Sequence, residues 1–306
     1  MAMRIAVMGA GAVGGYFGGL LANQGEDVVL IARGAHKDAI AKNGLQVDSH
    51  WGSFNVKVDV TDDPATVGEV DLVLHCIKLY SNAESFPTMK GLIGENTNIL
   101  TIQNGATAGE ILGKEFGDKH VLQGATYIET GIAAPGHIHQ SGSTAMIEFG
   151  EADGSQTDRT EAIKKLFSRE GMQVAVSTNI VDTLWTKMVS VGAIGSVMAA
   201  SRASFVEVLA SPHGEHTVRT VMEEIVAVGQ SQGVNFPPRC VDGKMEDAIG
   251  EAEETQASLQ YDLDHGKPLE LDDILGAVVR IGRDAGVPVP ASAALVTVLD
   301  KFKQGS

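Results

Sequence analysis

The chain has 306 residues, 43% of them hydrophobic and 20% charged, with a formal net charge of −16. These proportions describe a folded globular protein and exclude a disordered or fibrous one. The acid excess divides evenly, −8 on either side of residue 178; nucleic acid and anionic membrane surfaces need a basic footprint and are excluded as main partners.

A single core stops growing near this length, so two domains are expected, 1–178 and 179–306. The first stretch alternates short apolar runs with helical patterns, which predicts an α/β domain with a parallel sheet covered by helices on both faces. Arg4–Met8 reads as a buried strand, followed by a glycine-rich turn and a helix through Tyr16 to Asn23. Asp27–Ile31, Asp71–Ile77 and Asn98–Ile102 read as further strands, with weaker signals at 126–132 and 144–149, a helix at 157–169 and a strand at 173–177. Beyond residue 178 helical periodicity dominates, at 180–199, 204–209, 213–232, 240–265, 269–285 and 291–303. Pro237-Pro238, Gly266-Lys267-Pro268 and Pro288-Val289-Pro290 punctuate those helices. The expected architecture is a Rossmann-type dinucleotide-binding domain followed by an all-helical domain.

The two cysteines, Cys76 and Cys240, build neither a disulfide framework nor a thiolate metal cluster, which fits a reducing cytosol. Residues 5–25 are uncharged, but seven glycines break any secretory apolar segment. The run Met188 to Ser201 is too short for a bilayer, which takes about 20 residues. A cytoplasmic protein is expected. His137/His139 and His213/His216 have chelating spacings without a carboxylate or cysteine in register, so no metal site is expected.

Gly9-Ala10-Gly11-Ala12-Val13-Gly14 directly follows the first strand and opens a helix. In a dinucleotide site the first glycine allows the tight turn, the second admits the pyrophosphate, and the third lets helix pack on strand. The helix N-terminus adds unpaired N–H groups and a partial positive charge. At the end of the second strand an NAD site places an acid for the ribose 2′-hydroxyl. Here Leu30-Ile31-Ala32-Arg33-Gly34 has none, and a guanidinium there suits a 2′-phosphate, so the expected cofactor is NADP(H).

Lys78 and Gln103-Asn104-Gly105 each follow a strand, at the sheet edge where open α/β folds bind ligands. Lys187 lies on an apolar helix whose Leu184, Val191 and Ile194 share its face. A lysine in that setting either snorkels at the rim or sits desolvated, where a lowered pKa suits proton donation to a developing alkoxide.

Together, the glycine turn, Arg33, Lys78, Gln103-Asn104-Gly105, Leu184-Trp185-Thr186-Lys187, Ser258 and Pro268-Leu269-Glu270-Leu271-Asp272 resemble the ketopantoate reductase family over essentially the whole chain. The resemblance implies NADPH-dependent reduction of 2-dehydropantoate to (R)-pantoate, a step toward pantothenate and coenzyme A. It implies Lys187 as general acid and Glu270 as the group orienting substrate and lysine. Ser258 would hold the substrate, and Asn104 and Lys78 would lie about nicotinamide and substrate.

The family helix carries asparagines four and eight residues beyond the lysine; this chain has Val191 and Gly195. A less polar, roomier pocket is expected, with Ser190 or Ser196 as partial replacements. Those positions raise a related D-2-hydroxyacid dehydrogenase acting on branched or aromatic 2-oxo acids. A non-catalytic NADP-binding sensor is the reading from another class, against which stands the full set of Lys187, Ser258 and Glu270. A small-molecule 2-oxo acid is the expected partner, and a homodimer is compatible with the chain.

Arg33→Ala should raise the KM for NADPH about tenfold or more, the loss of one charge-assisted hydrogen bond, and leave that for NADH nearly unchanged. Steady-state kinetics with both cofactors checks this, and an equal effect on the two would overturn the role of Arg33.

Overall fold

The computed structural model describes residues 3–305. Its contacts divide the chain into two units: residues up to Gln103 with Ala108–Ile180, and Asn104–Thr107 with everything from Val181 onward.

The first unit is built on strands β1 (Arg4–Met8), β2 (Asp27–Ile31), β3 (Leu45–Ser49), β4 (Gly52–Val56), β5 (Asp59–Thr61), β6 (Leu72–His75), β7 (Asn98–Thr101), β8 (Val121–Ala134), β9 (His137–Gly150) and β10 (Gln173–Val176). They form one sheet in the order β4-β3-β9-β8-β7-β6-β1-β2-β5, with β10 pairing β9. Helices α1 (Ala12–Asn23), α2 (Gly34–Asn43), α3 (Asn82–Met89), α4 (Ala108–Phe116) and α5 (Asp158–Phe167) connect them.

The central strands are continuously apolar over their middle positions, Ile5–Met8, Val28–Ile31, Leu72–Leu74 and Ile99–Leu100, because both faces are covered. Side chains alternate between faces: Ile5, Val7, Val28, Leu30, Leu72 and Leu74 join one core, while Ala6, Met8, Val29, Ile31 and Val73 join the other. Strands β5, β2, β1, β6, β7 and β8 run parallel. The sheet is nevertheless mixed, and here the wholly parallel expectation is corrected. The two weak strand signals at 126–132 and 144–149 are the middle of one long antiparallel hairpin, β8 and β9, joined at Pro135-Gly136. Strands β3 and β4 form a second antiparallel pair on its flank.

The second unit is helical: α6 (Ile180–Ser201), α7 (Phe205–Ala210), α8 (Gly214–Ser231), α9 (Cys240–Gly250), α10 (Ser258–Asp264), α11 (Leu275–Ala285) and α12 (Pro290–Leu299). The Ser204/Glu207 capping box starts α7. The predicted helix 240–265 is two helices, interrupted after Gly250 by an acid-rich stretch whose Ala257 is extended. The predicted helix 269–285 begins only at Leu275: Leu269, Glu270 and Leu271 are all buried, and three consecutive residues do not share one face of a helix. Gly192 lets α6 approach α8, since a Cβ there would lie 3.1 Å from Ile225 Cδ1.

Glu224 on α8 is a buried carboxylate at the start of α12. It accepts from the Ala291 and Ser292 amides at 2.8 and 2.7 Å and from Ser292 Oγ at 2.6 Å. An anion there satisfies two helix-terminal N–H groups and opposes the helix dipole favourably. Glu224→Ala should therefore cost about 3 kcal/mol of stability. Urea unfolding followed by circular dichroism checks it, with a lower midpoint expected.

Candidate active site

At the end of β1 the chain turns at Gly9, whose φ of +93° is left-handed. A Cβ at this position would lie 2.6 Å from Ile77 Cγ2 and 2.9 Å from Ile77 N, so the turn closes directly on the second residue beyond β6. Ala10 is buried and its amide donates to Ile31 O at 2.8 Å, tying the turn to β2. A Cβ at Gly14 would sit 2.3 Å from Gly9 O, so α1 lies as close to the strand ends as a backbone can. Gly11 is different. It is the N-cap of α1, no side chain caps the helix, and a Cβ there would meet nothing within 4 Å. With Ala12 and Val13 partly exposed, the turn is a cradle open at the helix N-terminus. The phosphates of a dinucleotide fit it.

Arg33 is the N-cap residue of α2, just beyond β2. It is exposed, and its Nη1 lies 3.6 Å from Glu84 Oε1, itself exposed. Lys78 opens the turn after β6 and Gln103 follows β7, both at the carboxyl edge of the sheet. Burial pushes the Cys76 thiol well up, so the neighbouring cysteine is no nucleophile.

In the helical unit, α6 carries Lys187 part-buried, and its Nζ donates to Asn104 Oδ1 at 2.9 Å. Burial lowers the Lys187 pKa to about 8, and the Glu270 carboxylate opposes that shift. The ammonium form therefore still predominates at neutral pH. Glu270 itself is buried in the irregular stretch ahead of α11. The unit thus brings together Lys187, Asn104 and Glu270, which are far apart in sequence.

Ser258 is the exposed first residue of α10. At Gly195 an added Cβ would meet the Cβ atoms of Ala257 and Leu259 at 3.7 Å each, an ordinary contact distance, so its surroundings are apolar. Ser190 donates to the Lys187 carbonyl at 3.1 Å, and Ser196 is fully buried half a turn away from the lysine's face. Neither replaces an asparagine. His137 pairs with Asp48 at 2.6 Å on the sheet. Sequence reasoning passed over His75, Asn82 and Thr101, buried polar residues behind the sheet edge that carry no motif of their own.

A glycine cradle on a doubly covered sheet, with a lysine, an amide and a carboxylate gathered in a separate helical unit, defines a two-domain α/β-plus-helical oxidoreductase. The chain belongs to the ketopantoate reductase family. The profile described as ketopantoate reductase PanE/ApbA matches residues 5–154, and its C-terminal counterpart matches residues 179–304. The chain is 28% identical to a 2-dehydropantoate 2-reductase of Mesorhizobium japonicum over 98% of each chain. Its fold is similar to the crystal structure of 2-dehydropantoate 2-reductase from Geobacter metallireducens, with TM-score 0.91, 32% identity and coverage of 98% and 99%. It is equally similar to a PanE/ApbA family ketopantoate reductase from Ralstonia eutropha, with TM-score 0.91, 30% identity and 98% coverage of both chains. Among the described residues no helix is long and apolar enough to cross a membrane.

Two glycine variants separate folding from binding. Gly9→Ala should lower the melting temperature, because its Cβ collides with Ile77 in a left-handed turn. Gly11→Ala should melt like the parent yet lose dinucleotide affinity about tenfold or more, since the added methyl fills only ligand space. Thermal unfolding and fluorescence titration with NADPH check the pair.

Proposed function

We propose that the chain reduces 2-dehydropantoate to (R)-pantoate with NADPH, in the pathway to pantothenate and coenzyme A. The observation that carries this reading is the Lys187 ammonium, hydrogen-bonded to Asn104 with its pKa lowered to about 8 and countered by Glu270. The similar Mesorhizobium and Geobacter proteins, both 2-dehydropantoate 2-reductases, support the substrate.

Gly9, Ala10, Gly11, Ala12, Val13 and Gly14 hold the pyrophosphate, and Arg33 holds the 2′-phosphate. The exposed Arg33–Glu84 pair is worth little in water, so a phosphate displaces the carboxylate readily. A nicotinamide dinucleotide held there would supply a hydride for the ketone carbon. As charge grows on the ketone oxygen, Lys187 stabilises it and then protonates it. Asn104 accepts one of the three ammonium hydrogens and so aims the others. Glu270 keeps the lysine charged in its desolvated setting and orients the substrate hydroxyl. Ser258 binds the substrate, and Lys78 and Asn104 flank nicotinamide and substrate.

A second reading has a specific observation behind it. Val191 stands one helical turn beyond Lys187, and Ala257 and Leu259 close on Gly195, which makes an apolar wall. Such a wall favours a branched or aromatic 2-oxo acid, the substrate of a D-2-hydroxyacid dehydrogenase. Following NADPH absorbance against 2-dehydropantoate and a panel of 2-oxo acids separates the two, and activity on none of them would overturn both.

Lys187→Ala should lower turnover about 10²-fold or more while NADPH still binds. Reduction needs the protonated lysine, so the rate should be level on the acid side and fall as pH rises through about 8. In the oxidative direction the neutral amine is needed, and the rate should rise through the same pH. Glu270→Gln removes the opposing carboxylate and should move that limb to lower pH. A pH–rate profile of each variant checks this.

A further inference from the structure

Behind Lys78 lies a set of buried polar side chains that neither the glycine turn nor the lysine chemistry uses. Gln103 is 5% exposed, Asn82 5%, Thr101 2% and His75 fully buried. Gln103 Nε2 donates to the carbonyl of Ile77 at 2.8 Å and to Asn82 Oδ1 at 2.8 Å. A primary amide nitrogen has two hydrogens, and both are committed here. Gln103 Oε1 accepts from Thr101 Oγ1 at 3.2 Å and from Asn82 Nδ2 at 3.4 Å. His75 Nε2 lies 3.1 Å from Asn82 Oδ1, while its Nδ1 has no partner among the described residues. The proton is therefore assigned to Nε2, and burial lowers the His75 pKa to about 4, which keeps the ring neutral.

These bonds join three segments: the end of β6, the first residue of α3 and the end of β7. The carbonyl that Gln103 grips belongs to the peptide linking Ile77 to Lys78. That same Ile77 forms the wall against which Gly9 turns. One side-chain amide thus fixes the strip of backbone between the glycine cradle and Lys78.

We propose that Gln103 is a positioning residue for the dinucleotide-binding edge, holding the Ile77–Lys78 peptide in place against the Gly9 turn. The proposal rests on the reading that this edge binds NADPH. Gln103→Glu keeps the size of the side chain but sets a carboxylate against two oxygen acceptors; Gln103→Leu removes the donors altogether. Either should raise the NADPH dissociation constant about tenfold or more, the loss of a buried hydrogen bond or two. At saturating NADPH the pH limb set by Lys187 should stay at its parent position while the NADPH dissociation constant rises, a split that general loss of structure does not produce.

Thr101→Val removes only the hydroxyl that steadies Gln103 Oε1, and should raise the same dissociation constant about two- to fivefold. It carries the test alone if the Gln103 variants do not fold. Parent-like NADPH affinity in the folded variants would overturn the positioning role and leave the proposed reaction standing. So would equal losses in NADPH affinity, 2-oxo acid KM and turnover. A parent protein that binds no NADPH would overturn both readings together.

Discussion

The sheet's carboxyl edge depends on how closely α1 lies against β1. With no Cβ at Gly14, the helix comes within van der Waals distance of the Gly9 carbonyl; with none at Gly18, it sits flat on Val7 and Leu30. A side chain at either place would lift the helix off the strand. Because it lies so low, its N-terminus opens at the strand end and its first-turn amides face outward without a side-chain cap. That gives a fixed partial positive charge at a defined height above the sheet. The same closeness makes Ile77 the wall of the Gly9 turn, which in turn places Lys78.

Electrostatics in this protein are decided locally. Acidic residues coat both units, yet charges in salt solution act over only about 8–10 Å. The chain sets a helix N-terminus, Arg33 and Lys78 in the first unit, and Lys187 in the second. Burial disfavours the charge of Lys187 and Glu270 favours it, leaving a group able to hold or release a proton near neutrality. The buried amide network around Gln103 adds no charge. Its contribution is geometric, since every hydrogen on the amide nitrogen is spent on holding backbone and neighbour in register.

Much of this was legible in the chain itself. The buried strands at 4–8 and 27–31 announce themselves because a parallel strand covered on both faces is continuously apolar. The glycine spacing announces a turn and close packing. The capping box at Ser204 marks where α7 starts. The long β8–β9 hairpin is less legible because its apolar runs are short and are interrupted by Gly, Glu, Thr and Ser. Strands β3 and β4 were missed for a similar reason, being short and partly exposed.

By itself, then, the sequence determined the central strands, the glycine cradle, the arginine after β2 and the lysine on an apolar helix, since each is a local pattern of residue types. Tertiary structure alone decided that Asn104 meets Lys187 across 83 positions of chain, that Glu270 sits buried ahead of α11, and that Ala257 and Leu259 line Gly195. It also decided that His75, Asn82, Thr101 and Gln103 form one network. The physical reason is the same in every case. Periodicity and spacing report on neighbours along the chain, whereas a desolvated charge or a saturated amide is defined by what packs around it from elsewhere.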